Sequence, residues 1–295
     1  MKPASLNERG SIRGWLEPDE NRVHLETILR KAPSAVLEGE LTLRVHEDLA
    51  ETTDTAKREQ RVTELVQALY RGTIKRYVVQ SDTSVGPRII KLTESQSLSH
   101  RLGGLIGFST GRLEHQNQIR AESLGIAAAH SHGYLELCRS PWLIRSAQVQ
   151  SLISPELPML DDFVRREYER FGPAAMLPLG EALAHTHALG FFHADLKGFH
   201  AQIAHQRLVP HEPTRYTLLW LDLGRVKFTV TERRRIINLY QMLRFVVPNH
   251  GRARDAFMRS YSKESGWYRD SPNRAMEIVG RFLDKKLRAH QREPV

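Results

Sequence analysis

The sequence predicts an α+β fold with two lobes, a small β-rich lobe followed by a mainly helical lobe. Strand signals, which are short runs rich in β-branched and aromatic residues, concentrate in the first half, at residues 77–80, 88–92, 134–138 and 141–145. In the second half apolar residues recur with helical spacing, at residues 160–168, 177–189, 231–247 and 275–289. A chain of 295 residues with 40% hydrophobic residues can bury the core of such a unit.

The same pattern divides the chain into three segments. Residues 1–60 read as an N-terminal extension, in which 36–45 suggest one strand and 50–60 are polar and flexible. Residues 61–149 form the β-rich lobe and residues 150–295 form the helical lobe. We find no internal repeats.

The β-rich lobe is expected to contain a hairpin followed by a helix. Two strands, 77–80 and 88–92, are joined by the turn-rich sequence SDTSVGP, and Lys91 stands at the end of the second strand. The helix at 112–124 ends before Gly125, a residue type that commonly terminates helices. Glu114 lies in its first turn, whereas Glu122 lies near its end and is expected to be an exposed acid.

The most informative stretch is residues 191–200, FFHADLKGFH, together with Asp222-Leu223-Gly224 after the apolar run 218–221. These segments resemble the H-R-D-L-x-x-x-N catalytic loop and the D-F-G metal loop of protein kinases. Ala194, Leu223 and His200 replace the Arg, Phe and Asn of those motifs. A loop of the form D-x-x-x-x-H resembles the lipopolysaccharide kinase (Kdo/WaaP-like) family. The fold implied is the bilobal protein-kinase-like fold.

The chemistry of these side chains suits phosphoryl transfer, which needs positioning and electrostatic stabilisation more than covalent catalysis. Asp195 can act as the base or orient the acceptor hydroxyl, and Lys197 can reach the γ-phosphate. Asp222 can bind Mg²⁺, which prefers oxygen ligands. Three roles are open for His200: a ligand of a second metal ion, a ligand of a softer ion such as Mn²⁺, or a hydrogen-bond partner of Asp195.

The resemblance also implies roles in the β-rich lobe. Lys91 would pair with the α- and β-phosphates of ATP, and Glu114 would orient it. Gly72 is the candidate for the phosphate loop, although it reads equally well as a β-turn glycine, because no G-x-G-x-x-G is present. Nearby basic residues could supply charge instead, namely Arg71, Lys75 and Arg76. Adenine is expected against the backbone of residues 146–149.

The stretch after Asp222 bears on the acceptor. The helical pattern at 231–247 starts seven residues beyond Gly224, and no A-P-E motif follows. This leaves almost no room for a peptide-binding activation segment and favours a small or lipid-linked acceptor. Asn238 stands nearest the place of the family Asp that braces the catalytic loop.

Charge and composition bear on partners and location. The formal net charge is +9, which attracts polyanions such as anionic membranes or phosphorylated glycolipids, and no nucleic-acid recognition motif is evident. The tail helix at 275–289 is expected to pack on the helical lobe, with a membrane surface as the alternative. The single Cys138, the absence of an apolar leader and the absence of a long apolar run predict a cytoplasmic protein, peripheral at the inner face of the membrane.

The sequence therefore predicts an ATP- and Mg²⁺-dependent or Mn²⁺-dependent kinase. The acceptor implied by the resemblance is a sugar hydroxyl of lipopolysaccharide core or a related anionic glycolipid. Two alternatives remain: a kinase of another small molecule or of a protein, and a pseudokinase that binds nucleotide or a partner without turnover.

Overall fold

The computed structural model describes residues 10–18, 20, 22–30, 42–43, 76–83, 86–95, 101–102, 108–139, 142–153, 156–206 and 215–290. The chain divides into two compact units. The first comprises Met1–Ile119 with Ala129–Ile153, and the second comprises Arg120–Ala128 with Ser154–Val295. Gly72 lies outside the described residues, as does most of the strand expected at 36–45.

The first unit is built on a six-stranded antiparallel sheet with the strand order β1-β5-β6-β4-β3-β2. Its elements are β1 (Ser11–Leu16), α1 (Arg22–Arg30), β2 (Thr42–Leu43), β3 (Arg76–Thr83), β4 (Gly86–Glu94), β5 (Ser131–Arg139) and β6 (Trp142–Ser151), together with the part of α2 (Thr110–Ser123) up to Ile119. Apolar residues of α1 and of the central strands form its core. The extension predicted for residues 1–60 therefore contributes β1 and α1 to this unit. The lobe boundaries at residues 60 and 149 remain predictions.

The predicted hairpin is present as β3 and β4. Antiparallel pairing sets Val78 opposite Lys91, and Arg76 opposite Thr93. β4 is buried along most of its length because β3 and β6 flank it on both edges. Lys91 thus projects from a central strand of the sheet.

The structure corrects the expectation for residues 146–149. These residues belong to β6, which continues to Ser151 and pairs with both β4 and β5; Ala147, for example, lies opposite Leu92 and Leu135. Backbone groups in a central strand are used by the sheet ladders. They are therefore not available for adenine, and the chain leaves the sheet after Ser151.

The second unit is mainly helical, as predicted. Its helices are α3 (Leu160–Phe171), α4 (Met176–Ala188), α5 (Glu232–Phe245), α6 (Gly251–Ser265) and α7 (Pro272–His290), and its short strands are β7 (Phe192–His193), β8 (Ala201–Gln206), β9 (Arg215–Trp220) and β10 (Val226–Lys227). β7 pairs with β10, and β8 pairs with β9. The loop from Ala194 to His200 lies between β7 and β8, and Asp222-Leu223-Gly224 lies between β9 and β10.

The tail helix α7 packs within the second unit, as the sequence predicted in preference to a membrane surface. Ala275 and Val279 are buried, and the ring of Phe282 meets the ring of Tyr240 edge-on at 5.5 Å. Among the helices that the structure describes, none combines the length and the apolar character needed to cross a membrane.

Candidate active site

In the first unit, Lys91 and Glu114 form a buried ion pair. Lys91 Nζ donates to Glu114 Oε1, and the side chains are 9% and 1% exposed. Glu114 projects from the first turns of α2, and its other oxygen, Oε2, accepts from the guanidinium of Arg76 on β3. One carboxylate thus joins α2 to two neighbouring strands.

The position of α2 is fixed by further polar contacts with the sheet. Gln118 donates to the Gln150 side chain at 2.8 Å and accepts from the Gln148 amide at 2.6 Å. His115 Nδ1 lies 2.8 Å from Ser131 Oγ. Because all of these side chains are buried, the contacts hold the helix in one orientation. Glu122, in contrast, is exposed.

In the second unit, the catalytic-loop motif begins where α4 ends. Gly190 has a φ of 83°, a conformation that glycine adopts without strain, and it turns the chain into β7. Phe191 and Phe192 are buried. β7 pairs with β10, and the Ala194 N–H donates to the Arg225 carbonyl at 2.8 Å. The two motifs are therefore joined through their backbones.

His193 adds a side-chain link between the motifs. Its Nε2 donates to the backbone carbonyl of Asp222 at 2.5 Å, and its Nδ1 accepts the N–H of Asp195 at 3.3 Å. The ring stacks on Trp220 at 5.5 Å. Burial, with the neighbouring His200, lowers the pKa of His193 from 6.5 to about 4. A neutral ring with one donor and one acceptor suits both contacts.

Asn238 and Gln241, on one face of α5, brace the catalytic loop. Asn238 Oδ1 accepts the N–H of His193 at 3.3 Å, and Asn238 Nδ2 donates to the His193 carbonyl at 2.5 Å. Nδ2 also donates to Gln241, whose amide donates to the Ala194 carbonyl at 2.9 Å. An amide can give and receive hydrogen bonds at once, so it satisfies both backbone groups of His193.

A second layer of contacts orients Asn238. His187 Nε2 lies 3.2 Å from Asn238 Oδ1 and His187 Nδ1 lies 2.7 Å from the Tyr261 hydroxyl, which accepts from Arg235 at 2.7 Å. Burial lowers the pKa of His187 from 6.5 to about 4 and raises the pKa of Tyr261 to about 12. Both groups are thus neutral, with the hydroxyl donating to Nδ1.

Asp195 and Lys197 form the accessible part of the loop. Their side chains are 40% and 38% exposed, with Lys197 Nζ 3.6 Å from Asp195 Oδ1. Lys197 Nζ also lies 5.5 Å from the centre of the Phe199 ring. The loop thus presents a carboxylate and an ammonium group to solvent side by side. The carboxylate can act as a base, and the ammonium group can bind a phosphate.

His200 and Asp222 are the candidate metal ligands. His200 Nδ1 donates to the Asp195 carbonyl, which leaves Nε2 as its second nitrogen. Burial lowers the pKa of His200, although the charge of Asp222 opposes the shift. The ring is therefore neutral, which is the form that binds a metal ion. Asp222 Oδ1 accepts the Gly224 N–H at 3.1 Å. A ligating histidine commonly donates its other N–H to a carbonyl in this way.

Packing under the loops explains one departure from the kinase motifs, at Leu223, and the presence of a glycine at position 198. Leu223 is fully buried in the core of the second unit, so an apolar side chain suffices at this position. Gly198 begins a 3₁₀ turn, Gly198–His200, that lies directly on the first turn of α3. A Cβ added there would lie 2.4 Å from Asp161 Cβ.

The structure places the predicted site residues in two groups. Lys91 and Glu114 contact each other in the first unit, and Asp195, Lys197, His200 and Asp222 lie in the linked loops of the second. Arg76, considered as a source of charge for phosphates, contacts Glu114 instead. Sequence reasoning missed Gln241, Tyr261 and His187, because no motif marks residues that act through buried hydrogen bonds.

A β-rich unit with a Lys–Glu pair and a helical unit with linked H-x-D and D-x-G loops define the protein-kinase-like fold. Among solved structures, the chain is similar to "WaaP in complex with acyl carrier protein", with a TM-score of 0.53 and 19% identity over 92% of this chain and 98% of that chain. It also matches "Crystal structure of BubR1 kinase domain", with a TM-score of 0.40 and 11% identity over 71% of this chain and 80% of that chain.

No family model matches the sequence, and no curated protein matches it.

Proposed function

We propose that the protein is a kinase that transfers the γ-phosphoryl group of ATP to a hydroxyl of a lipopolysaccharide core sugar or a related anionic glycolipid. The observation that carries this proposal is the link between the two motifs of the second unit. His193 ties the backbone of Asp195 to that of Asp222. The Lys91–Glu114 pair of the first unit supplies the partner motif that a kinase requires.

Asp195 is the group that we assign to the acceptor. Its carboxylate is accessible, and the rest of its loop is held by His193, Asn238 and Gln241. A fixed carboxylate can accept the proton of an acceptor hydroxyl or align that hydroxyl for attack. Lys197, beside it, would stabilise negative charge on the transferred group.

Asp222 and His200 are the residues that would hold a divalent metal ion. The charged carboxylate of Asp222 and the second nitrogen of the neutral His200 ring fit such an ion. The presence of an imidazole favours Mn²⁺ relative to an all-oxygen site. When bound, the ion would neutralise charge on the phosphates of ATP.

The acceptor class is argued from the chain that follows Asp222. Residues 215–290 are described without a gap, and within them α5 begins at Glu232, directly after β10 and a short connection. Exposed cations lie along this stretch, namely Arg225, Lys227 and Arg233. A short basic connection favours an anionic glycolipid over a peptide. The resemblance of the motifs to WaaP-like lipopolysaccharide kinases points the same way.

Acceptor-dependent turnover of ATP tests this function. We expect ATP consumption by the purified chain to rise when lipopolysaccharide core is added, in Mg²⁺ or Mn²⁺, and to change little with a neutral sugar or a generic protein substrate. His200→Asn should shift the metal preference towards Mg²⁺. Because the matched WaaP structure contains acyl carrier protein, ATP consumption is also measured with acyl carrier protein added.

Stimulation of ATP consumption by the protein substrate and not by glycolipid would contradict the proposed glycolipid acceptor. It would still agree with kinase activity. Nucleotide binding without turnover under all of these conditions would favour the pseudokinase alternative.

A further inference from the structure

Two histidines and two glutamates cluster at the end of the first unit's sheet where β1 ends and β5 begins. Glu17 follows β1, and its N–H donates to the His132 carbonyl at 2.9 Å. His130 and His132 flank the first residue of β5, two positions apart, so their side chains lie on the same side of the extended chain. Glu20 lies in the turn before α1.

The atoms of this cluster are close enough to share one ion. His130 Nε2 lies 2.8 Å from Glu17 Oε1, and His132 Nδ1 lies 2.5 Å from Glu17 Oε2. Among the described residues, Glu17, His130 and His132 each offer a ligand atom within 4.8 Å of the other two. Ligands of a tetrahedral ion stand about 2.0–2.2 Å from the metal, so small side-chain movements would admit it.

We propose that Glu17, His130 and His132 form a binding site for a divalent transition-metal ion, most suitably Zn²⁺. Two imidazole nitrogens and one carboxylate are a common zinc donor set, whereas Mg²⁺ and Ca²⁺ prefer oxygen alone. The inference is independent of the proposed function, because no residue of the candidate active site takes part.

The surroundings of His132 suit a metal ligand. Its Nε2 lies 2.7 Å from Ser151 Oγ at the end of β6, so the hydroxyl fixes the ring while Nδ1 faces Glu17. Ser151 itself is held by its N–H, which donates to the His130 carbonyl at 2.9 Å. Outer partners of this kind orient ligating histidines in zinc proteins.

Glu20 provides a second, independent observation. Its side chain is 1% exposed, and its Oε1 accepts from Arg88 at 2.6 Å and lies 3.5 Å from His132 Nδ1. Its Oε2 has no hydrogen-bond partner within the described part of the chain. A buried carboxylate oxygen without a partner is costly. A cation beside His132 would offset that cost, and Glu20 would serve as a fourth ligand or as an outer partner.

The site is open to solvent on one side. The side chains of Glu17 and His130 are 32% and 44% exposed, and that of His132 is 10% exposed. An ion can therefore enter without unfolding of the unit. By joining the turn before α1 to β5, elements far apart in sequence, the ion would stabilise the first unit, because binding to the folded state alone adds to its stability.

Metal content and metal titration of the full chain test this site. We expect the wild type to retain one equivalent of Zn²⁺ after dialysis and to give tetrahedral absorption bands with Co²⁺. Glu17→Gln and His130→Gln should each weaken Zn²⁺ binding at least roughly tenfold, the lower end of the effect of removing an outer partner. His185→Gln, at an exposed histidine of α4, serves as the control and should bind like the wild type.

Thermal melting separates loss of the site from loss of the fold. Zn²⁺ should raise the melting temperature of the wild type and of His185→Gln by the same amount, and that of Glu17→Gln by less. Absence of bound Zn²⁺ in the wild type, or equal binding by the wild type and the folded double variant Glu17→Gln/His130→Gln, would overturn the proposal. Cu²⁺ binding with no response to Zn²⁺ would overturn the choice of Zn²⁺.

Discussion

At the scale of single residues, the catalytic loop depends on one neutral amide. Asn238 satisfies both the N–H and the carbonyl of His193, and Gln241 satisfies the carbonyl of Ala194. A carboxylate at position 238 could accept the N–H but could not donate to the carbonyl. The amide at position 238 therefore meets both backbone groups of His193, which a carboxylate could not do.

Replacement of this amide should lower turnover without weakening nucleotide binding. We expect Asn238→Ala to reduce kcat roughly 100-fold, as a misplaced catalytic group does, with little change in the KM for ATP. Steady-state kinetics of Asn238→Ala and Asn238→Asp check this, with the exposed Asn249→Ala as control. A large rise in KM with kcat preserved would contradict the positioning role.

At the scale of secondary-structure elements, the ion pair of Glu114 fixes α2 to β3 and β4. Removal of one partner from a buried pair typically costs about 3–5 kcal/mol, because the other charge stays buried. We expect Glu114→Gln to lower the stability of the first unit by about this amount, and Lys91→Met/Glu114→Gln to restore part of it. Hydrogen exchange of β3 and β4 measures the effect.

The matched control for this change is Glu122→Gln on the exposed face of the same helix, which should leave exchange unaltered. Equal protection in the Glu114→Gln and Glu122→Gln variants would show that the pair does not hold α2.

The packing of the catalytic loop on α3 requires a residue without a side chain at position 198. A Cβ there would lie 2.4 Å from Asp161 Cβ, so Gly198→Ala must push α3 and the loop apart. We expect a destabilisation of about 1–3 kcal/mol, typical of overpacking, together with a fall in kcat. Chemical denaturation and kinetics check both.

Gly280→Ala in α7 serves as the comparison, because a Cβ there meets nothing within 4 Å. It should be neutral or stabilise the helix. A Gly198→Ala variant as stable and active as Gly280→Ala would contradict the described packing.

Local patterns were sufficient to predict the β3–β4 hairpin and helices α3, α4, α5 and α7, because their apolar spacing is visible within each segment. β1 and α1 were missed, since β1 forms by pairing with β5, more than 100 residues away. The end of β6 was misjudged because Gln148 and Gln150 look like loop residues. Both are buried, and both form hydrogen bonds with Gln118 of α2.

The residues of the candidate site were likewise predictable only where a local sequence pattern marks them. Asp195 and Asp222 lie in recognisable motifs, whereas the contacts of Gln241 and His187 arise from helices that meet only in the folded chain. No spacing rule relates such residues.

At the scale of the whole molecule, stability should depend on the protonation of buried His187. Its pKa is about 4 in the folded chain and 6.5 when exposed, so the unfolded chain binds more protons between these values. The stabilising contribution is present above pH 6.5 and is lost as the pH falls towards 4, by at most about 3 kcal/mol. Melting temperatures across this range measure it.

His187→Gln should reduce this pH dependence and leave the part due to His193, whose pKa is also about 4. His185→Gln, on the exposed face of the same helix, should leave it unchanged. An unchanged dependence in folded His187→Gln would show that another group titrates.

The first unit carries a buried Lys–Glu pair and the second carries linked H-x-D and D-x-G motifs, in a chain with a formal net charge of +9. Asp195 is the residue on which the proposed transfer of a phosphoryl group depends. The most direct test follows label from [γ-³²P]ATP into lipopolysaccharide core, for the wild type, Asp195→Asn and the exposed control Asp270→Asn.

We predict transfer by the wild type and by Asp270→Asn, and a loss of roughly 100-fold or more in Asp195→Asn with ATP binding retained. Equal transfer by Asp195→Asn and the wild type would show that Asp195 does not serve phosphoryl transfer.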